Sequence, residues 1–122
     1  MEGKKIMVCD DDVSIVEMLE LILGFTGAKI STETDSVKLF DRLQAERPDL
    51  LIIDIWMPIL TGDLIVKRVR ATESSIRNMP IIIISASRDG REIAEAAGAT
   101  SYLPKPFDID ELTSAAERLL NY

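Results

Sequence analysis

The 122 residues carry 14 Lys and Arg against 21 Asp and Glu, a net charge of −7, with no histidine and one cysteine. That inventory excludes Ser-His-Asp and Cys-His catalysis, His-ligated metals, an internal disulfide and a CxxC site. A field of this sign also repels phosphate backbones, so no direct nucleic-acid contact is expected. No apolar run nears the roughly 18–20 residues of a bilayer span, and the stretch before Asp10 is too short for a signal-peptide core. The expectation is a single domain over residues 1–122, cytoplasmic and without a membrane partner, long enough to bury its own core.

Short apolar runs alternate with amphipathic ones. Lys5–Cys9 (KIMVC) predicts a strand, and Val13–Phe25 a helix in which Ile15, Met18, Leu19, Ile22 and Leu23 recur at helical spacing. Gly24 and Gly27 stand where that helix should stop. Ala28–Thr32 predicts a modest strand. Asp35 can cap a helix carrying Val37, Phe40 and Leu43, closed by Pro48.

Leu50–Ile53 reads as a buried strand ending on Asp54. A loop with Pro58 and Gly62 leads to a helix through Leu64, Ile65 and Val69. Ile81–Ile84, four isoleucines in a row, predicts a strand ending on Ser85. A short helix around Glu92–Ala97 stops at Gly98, and Thr100–Leu103 makes a last strand before Pro104-Lys105-Pro106. The final helix has Asp108 as N-cap and Glu111 at the third position, with Ile109, Leu112, Ala115, Ala116 and Leu119 facing inward.

Five strands alternating with five helices imply an α/β fold, a doubly wound parallel sheet covered on both faces. Ligands of such sheets bind at the carboxyl ends of the strands. Asp10-Asp11-Asp12, Asp54, Ser85 and Lys105 each follow a predicted strand, so they share that edge. Two carboxylates about 5 Å apart repel by roughly 3 kcal/mol at an effective dielectric near 20. Such a cluster wants a cation. All-oxygen ligands point to Mg²⁺, with Mn²⁺ also suited. With Lys105 as a fixed charge and Ser85 as a hydroxyl donor, the set suits a phosphoryl group, and an aspartate there can be the nucleophile. A bland alternative has the Asp10–Asp12 run capping the first helix.

Ile6–Asp11, Leu50–Pro58, Ile84-Ser85-Ala86 and Tyr102–Phe107 together resemble the receiver domains of two-component response regulators, over essentially the whole chain. The resemblance implies a flavodoxin-like sheet in the order 2-1-3-4-5. It implies that Asp54 accepts a phosphoryl group from a sensor histidine kinase or phosphotransfer protein, so that the donor imidazole belongs to another molecule. Asp10 and Asp11 would help hold Mg²⁺, with Asp11, Asp54 and the Trp56 carbonyl as direct ligands, and Lys105 and Ser85 would contact the phosphoryl oxygens. Catalysis would be limited to the chain's own phosphorylation and dephosphorylation.

The same resemblance implies a switch. The phosphoryl group draws the Ser85 hydroxyl inward, Tyr102 turns into the vacated space, and the face of the last two helices and last strand changes. The output would go to a downstream protein or a fused domain, and a phosphorylation-linked dimer is open. The chain runs about two residues shorter than expected between Ser85 and Lys105, which predicts a short or mobile fourth helix. Trp56 and Ser87 occupy positions that tune the phosphoryl lifetime, so an unusual lifetime is expected.

Three rivals share parts of this pattern. Asp10-Asp11-Asp12 resembles the Asp-x-Asp start of haloacid-dehalogenase-like phosphatases, with Asp10 as nucleophile and Asp12 as acid/base, but the chain is short for them and lacks a lid segment. A flavodoxin-like electron carrier needs an uncharged phosphate cradle where three acids stand. A receiver-like module that is never phosphorylated would not need the full residue set. Cys9 reads as a small buried hydrophobe.

Overall fold

A computed structural model describes residues 1–121. Its strands are β1 (Lys5–Cys9), β2 (Lys29–Glu33), β3 (Leu50–Asp54), β4 (Ile81–Ser85) and β5 (Ser101–Pro104), and its helices are α1 (Val13–Gly24), α2 (Ser36–Glu46), α3 (Gly62–Ala71), α4 (Gly90–Ala97) and α5 (Ile109–Leu120). All strand pairs are parallel, in the order β2-β1-β3-β4-β5. A 3₁₀ turn at Ser75–Asn78, which no pattern in the sequence predicts, joins α3 to β4.

Strand alternation divides the core in two. Met7, Cys9, Leu51, Ile53, Ile81 and Ile83 face α2, α3 and α4, where they meet Leu39, Leu43, Val66 and Ala94. Ile6, Val8, Leu50, Ile52, Ile82 and Ile84 face α1 and α5, against Leu19, Leu23, Leu112 and Ala116. β3 and β4 are buried along their whole length, whereas edge strand β2 is only partly covered.

Several helix faces differ from the expected ones. Against the sheet α1 buries the narrow stripe Val16, Leu19 and Leu23, and Met18 is exposed. Val37 and Leu64 are likewise exposed, while Leu39 and Val66, two residues further on, are buried in their place. In α5 the stripe runs through Leu112, Ala115, Ala116 and Leu120. Ile109 is therefore exposed, and Leu119 is half-buried against the core. Asp35 caps α2 through the Val37 N–H, and Glu111 accepts from the Asp108 N–H at the start of α5. α4 has eight residues, the short helix expected of a shortened connection.

Candidate functional site

Backbone pairing continues one residue beyond the strands and aligns the site. The Asp10 N–H donates to the Glu33 carbonyl, the Ile55 N–H to that of Ile84, and the Lys105 N–H to that of Ser85. Asp10, Asp54, Ser85 and Lys105 thus reach one edge in register, at the carboxyl end of the sheet.

There Lys105 Nζ donates to Asp10 Oδ2 at 2.8 Å and lies 3.3 Å from Asp54 Oδ1. Asp10 and Asp54 are buried and Asp11 is exposed. One carboxylate oxygen from each of Asp10, Asp11 and Asp54 falls within 4.8 Å of the others. Burial first, then the charge of Asp10, pushes the Asp54 carboxyl above its ordinary range, against the opposing pull of Lys105. Burial alone would lower the Lys105 amine, but the hydrogen bond and charge of Asp10, with the charge of Asp54, outweigh it and raise the value.

The three acids of the first loop have separate tasks. Asp12 caps α1, its Oδ1 accepting the Ser14 N–H at 2.9 Å. Asp10 accepts the Asp12 N–H on Oδ1 and Lys105 on Oδ2, so both its oxygens are engaged. Asp11 carries an exposed carboxylate toward Asp54. The capping alternative therefore accounts for Asp12 alone, and Asp12 is spent on the helix rather than on acid–base chemistry at Asp10.

Ser85 is fully buried, and its hydroxyl is paired with Ser87. The Ser87 N–H donates to Ser85 Oγ at 3.1 Å, and the two hydroxyls lie 2.9 Å apart. The Tyr102 hydroxyl donates to the Ser85 carbonyl at 3.2 Å, with the Ser85 hydroxyl paired with Ser87. Trp56, two residues beyond Asp54, is about half exposed. Cys9 is buried with its Sγ 3.7 Å from Met57 Sδ, and burial pushes its thiol up to about 12. It is a packing residue.

Three supports of the site come from small residues whose packing and hydrogen bonds the sequence pattern does not show. A Cβ on Gly62 would lie 2.1 Å from the Asp54 carbonyl oxygen, so only glycine lets α3 begin against the end of β3. The buried Ser36 hydroxyl donates to the Pro58 carbonyl at 2.8 Å and pins the loop that follows Asp54. In that loop Ile59 takes a left-handed φ of 71°. The Ser87 hydroxyl bond is the third. Each rests on a small residue, glycine or serine, whose identity gives no charge signal.

Among the described residues no helix is long and apolar enough to cross a membrane. Comparison with known proteins matches residues 6–117 to the response regulator receiver domain. Response regulator MprA of Mycobacterium avium is 36% identical over 118 residues, 95% of this chain and 50% of the relative. The chain thus spans half the length of the curated relatives it matches. Chemotaxis protein CheY4 of Vibrio cholerae superposes with a TM-score of 0.87 at 32% identity, covering 96% of this chain and 98% of that one. The receiver domain of sensor histidine kinase PA1611 from Pseudomonas aeruginosa, with a magnesium ion in its active site cleft, gives 0.90 at 27% identity, covering 98% and 99%. By sequence and by fold, the chain belongs to the response regulator receiver domain family of two-component signalling.

Proposed function

We propose that Asp54 is the phosphoacceptor, taking its phosphoryl group from a phosphohistidine on a sensor kinase or phosphotransfer protein. The observation that carries this is the buried Asp54 carboxylate held 3.3 Å from Lys105 Nζ and grouped with those of Asp10 and Asp11. An Asp54 oxygen attacks phosphorus, the P–N bond breaks, and its electron pair leaves on the imidazole nitrogen, which takes a proton from solvent. The product is an acyl phosphate on Asp54. Lys105 keeps a positive charge beside the incoming oxygens, and its contact with Asp10 fixes where that charge sits. The Ser85 hydroxyl turns from Ser87 toward the phosphoryl group.

The donor set fits a hard divalent cation. It is all oxygen, strongly anionic and partly open to water. Asp11 and Asp54 suit direct ligation with the Trp56 carbonyl, whereas Asp10, already engaged twice, suits an outer role through water. When bound, Mg²⁺ or Mn²⁺ supplies positive charge to the phosphoryl oxygens and offsets the repulsion among the acids.

A groove of about 400 Å³ beside Lys105, lined by Ile15, Met18, Ala86, Pro106 and Phe107, offers apolar contact to the donor protein. The chain would turn over no substrate but its own phosphoryl group. Its output would pass to a downstream protein or fused domain, with phosphorylation-linked dimerisation as one form. Acetyl phosphate with Mg²⁺ is expected to add one phosphoryl mass to the protein and none to Asp54→Asn. An adduct that persists in Asp54→Asn but is lost in Asp10→Asn would favour the phosphatase reading. No adduct at all would favour the unphosphorylated module.

A further inference from the structure

The hydroxyl of Tyr102 reaches the Ser85 carbonyl because of what is missing next to it. Gly90 opens α4 and is buried. A Cβ there would fall 2.3 Å from the Tyr102 hydroxyl oxygen, 2.8 Å from Cζ and 2.9 Å from Cε1. These are far inside contact distance, so the tyrosine ring occupies volume that any other residue at position 90 would fill. Gly90 does not take a left-handed φ, so the backbone there does not require glycine. In a helix glycine is the poorer choice by conformational entropy. What it provides is room. The next residue completes the seat, with the Arg91 guanidinium 5.1 Å above the ring centre.

The geometry points to Gly90 as a positioning residue that seats Tyr102 inward before any phosphoryl group arrives. The inward ring is then in place before phosphorylation, and the change left to the phosphoryl group is the transfer of the Ser85 hydroxyl away from Ser87. The regulatory meaning of this seat rests on the phosphoacceptor reading, whereas the seat itself does not.

A double-mutant cycle on the full chain tests it. With Tyr102 present, Gly90→Ala should raise the unfolding equilibrium constant by about five- to a hundredfold through overpacking. With Tyr102→Ala, the same change should lower it by about two- to fivefold, since alanine is the better helix former. Opposite signs are the expected result, and equal signs would overturn the seat.

A second readout uses 3-fluorotyrosine in a Tyr122→Phe background, which leaves one label at position 102. Its fluorine resonance should be that of a packed ring before and after beryllofluoride, and should move to the solvent-exposed position in Gly90→Ala. An exposed resonance in the parent protein, or one that Gly90→Ala leaves in place, would refute the proposal. Acetyl phosphate labelling of the same two proteins, read by mass, judges the phosphoacceptor reading separately.

Discussion

The Asp54–Lys105 corner and the Ser85–Tyr102 corner lie on the same sheet edge, yet different physics builds them. At the first, a half-buried amine is shared between two buried carboxylates, and the geometry follows from charge. At the second, the ring of Tyr102 is placed by atoms that are absent, the side chain of Gly90, and its hydroxyl donates to the Ser85 carbonyl. A charged corner tolerates adjustment, because Coulomb attraction falls off gradually with distance. A packed corner does not, because overlap is resisted over tenths of an ångström. The two should therefore respond to different perturbations.

The largest effect is expected where packing underlies the charged corner. Gly62→Ala would place a carbon against the Asp54 carbonyl, with backbone rather than a flexible side chain in the way. A loss of about 3 kcal/mol in urea denaturation is expected, with Mg²⁺ binding weakened in parallel. A loss under about 0.5 kcal/mol would show that the start of α3 can yield.

Next is the charge itself. Lys105→Met removes the cation between Asp10 and Asp54. Breaking a buried pair typically costs about 3–5 kcal/mol, and because Lys105 is partly exposed about 2 kcal/mol is expected here. The amine is raised, so its contribution is complete at neutral pH and is lost only as alkali passes the folded value. Millimolar Mg²⁺ should restore part of the loss by replacing the missing charge. If it does not, the three acids are not a cation site.

A smaller effect of opposite sign is expected at Asp54. Its carboxyl is raised, so the folded protein favours the protonated acid. The stabilisation is complete below the unfolded value and disappears as pH rises through the folded one. Without a divalent cation, Asp54→Asn should therefore gain about 1 kcal/mol at neutral pH and nothing in acid, where the native carboxyl is itself neutral. Mg²⁺ at ten times its dissociation constant would stabilise the native protein by about 1.4 kcal/mol and reverse the order. An Asp54→Asn protein less stable than native in the absence of metal would show that Lys105 dominates the site.

The charged corner is legible in the sequence because charged residues at the ends of buried strands need partners. Asp54 follows four apolar residues and Lys105 follows the last strand, which is enough to bring them to one edge. The order of the strands is legible only through the resemblance to a family. At the packed corner Ser85 and Tyr102 are named through the same resemblance, but the packing that places them is not legible. Glycine at position 90 looks like a helix-start residue, and serine at 36 like an ordinary first-turn residue. Tyr102 is named as a switch residue through the resemblance, but a tyrosine in the sequence says nothing about the space that Gly90 leaves beside it. Helix faces mislead for a related reason. Ile109 and Met18 are apolar, but both are exposed, off the stripes that α5 and α1 bury against the sheet.

The smallest effect reaches across the two corners. Ser85 Oγ accepts the Ser87 N–H and lies 2.9 Å from the Ser87 hydroxyl, where either oxygen can be the donor. To donate to a phosphoryl oxygen held at Asp54, the Ser85 hydroxyl must turn from Ser87. Ser87→Ala keeps the backbone donor and removes the competing hydroxyl. Since one hydrogen bond is worth about 0.5–1.5 kcal/mol net, beryllofluoride should bind the variant about two- to tenfold more tightly, read by the fluorescence of Trp56. Lys105 contacts and unfolding stability should barely change, which separates this from a general loosening of the loop. Weaker binding would mean that the Ser87 hydroxyl follows Ser85 to the phosphoryl group as a second donor, and that the packed corner helps hold the charge instead of releasing a group to it.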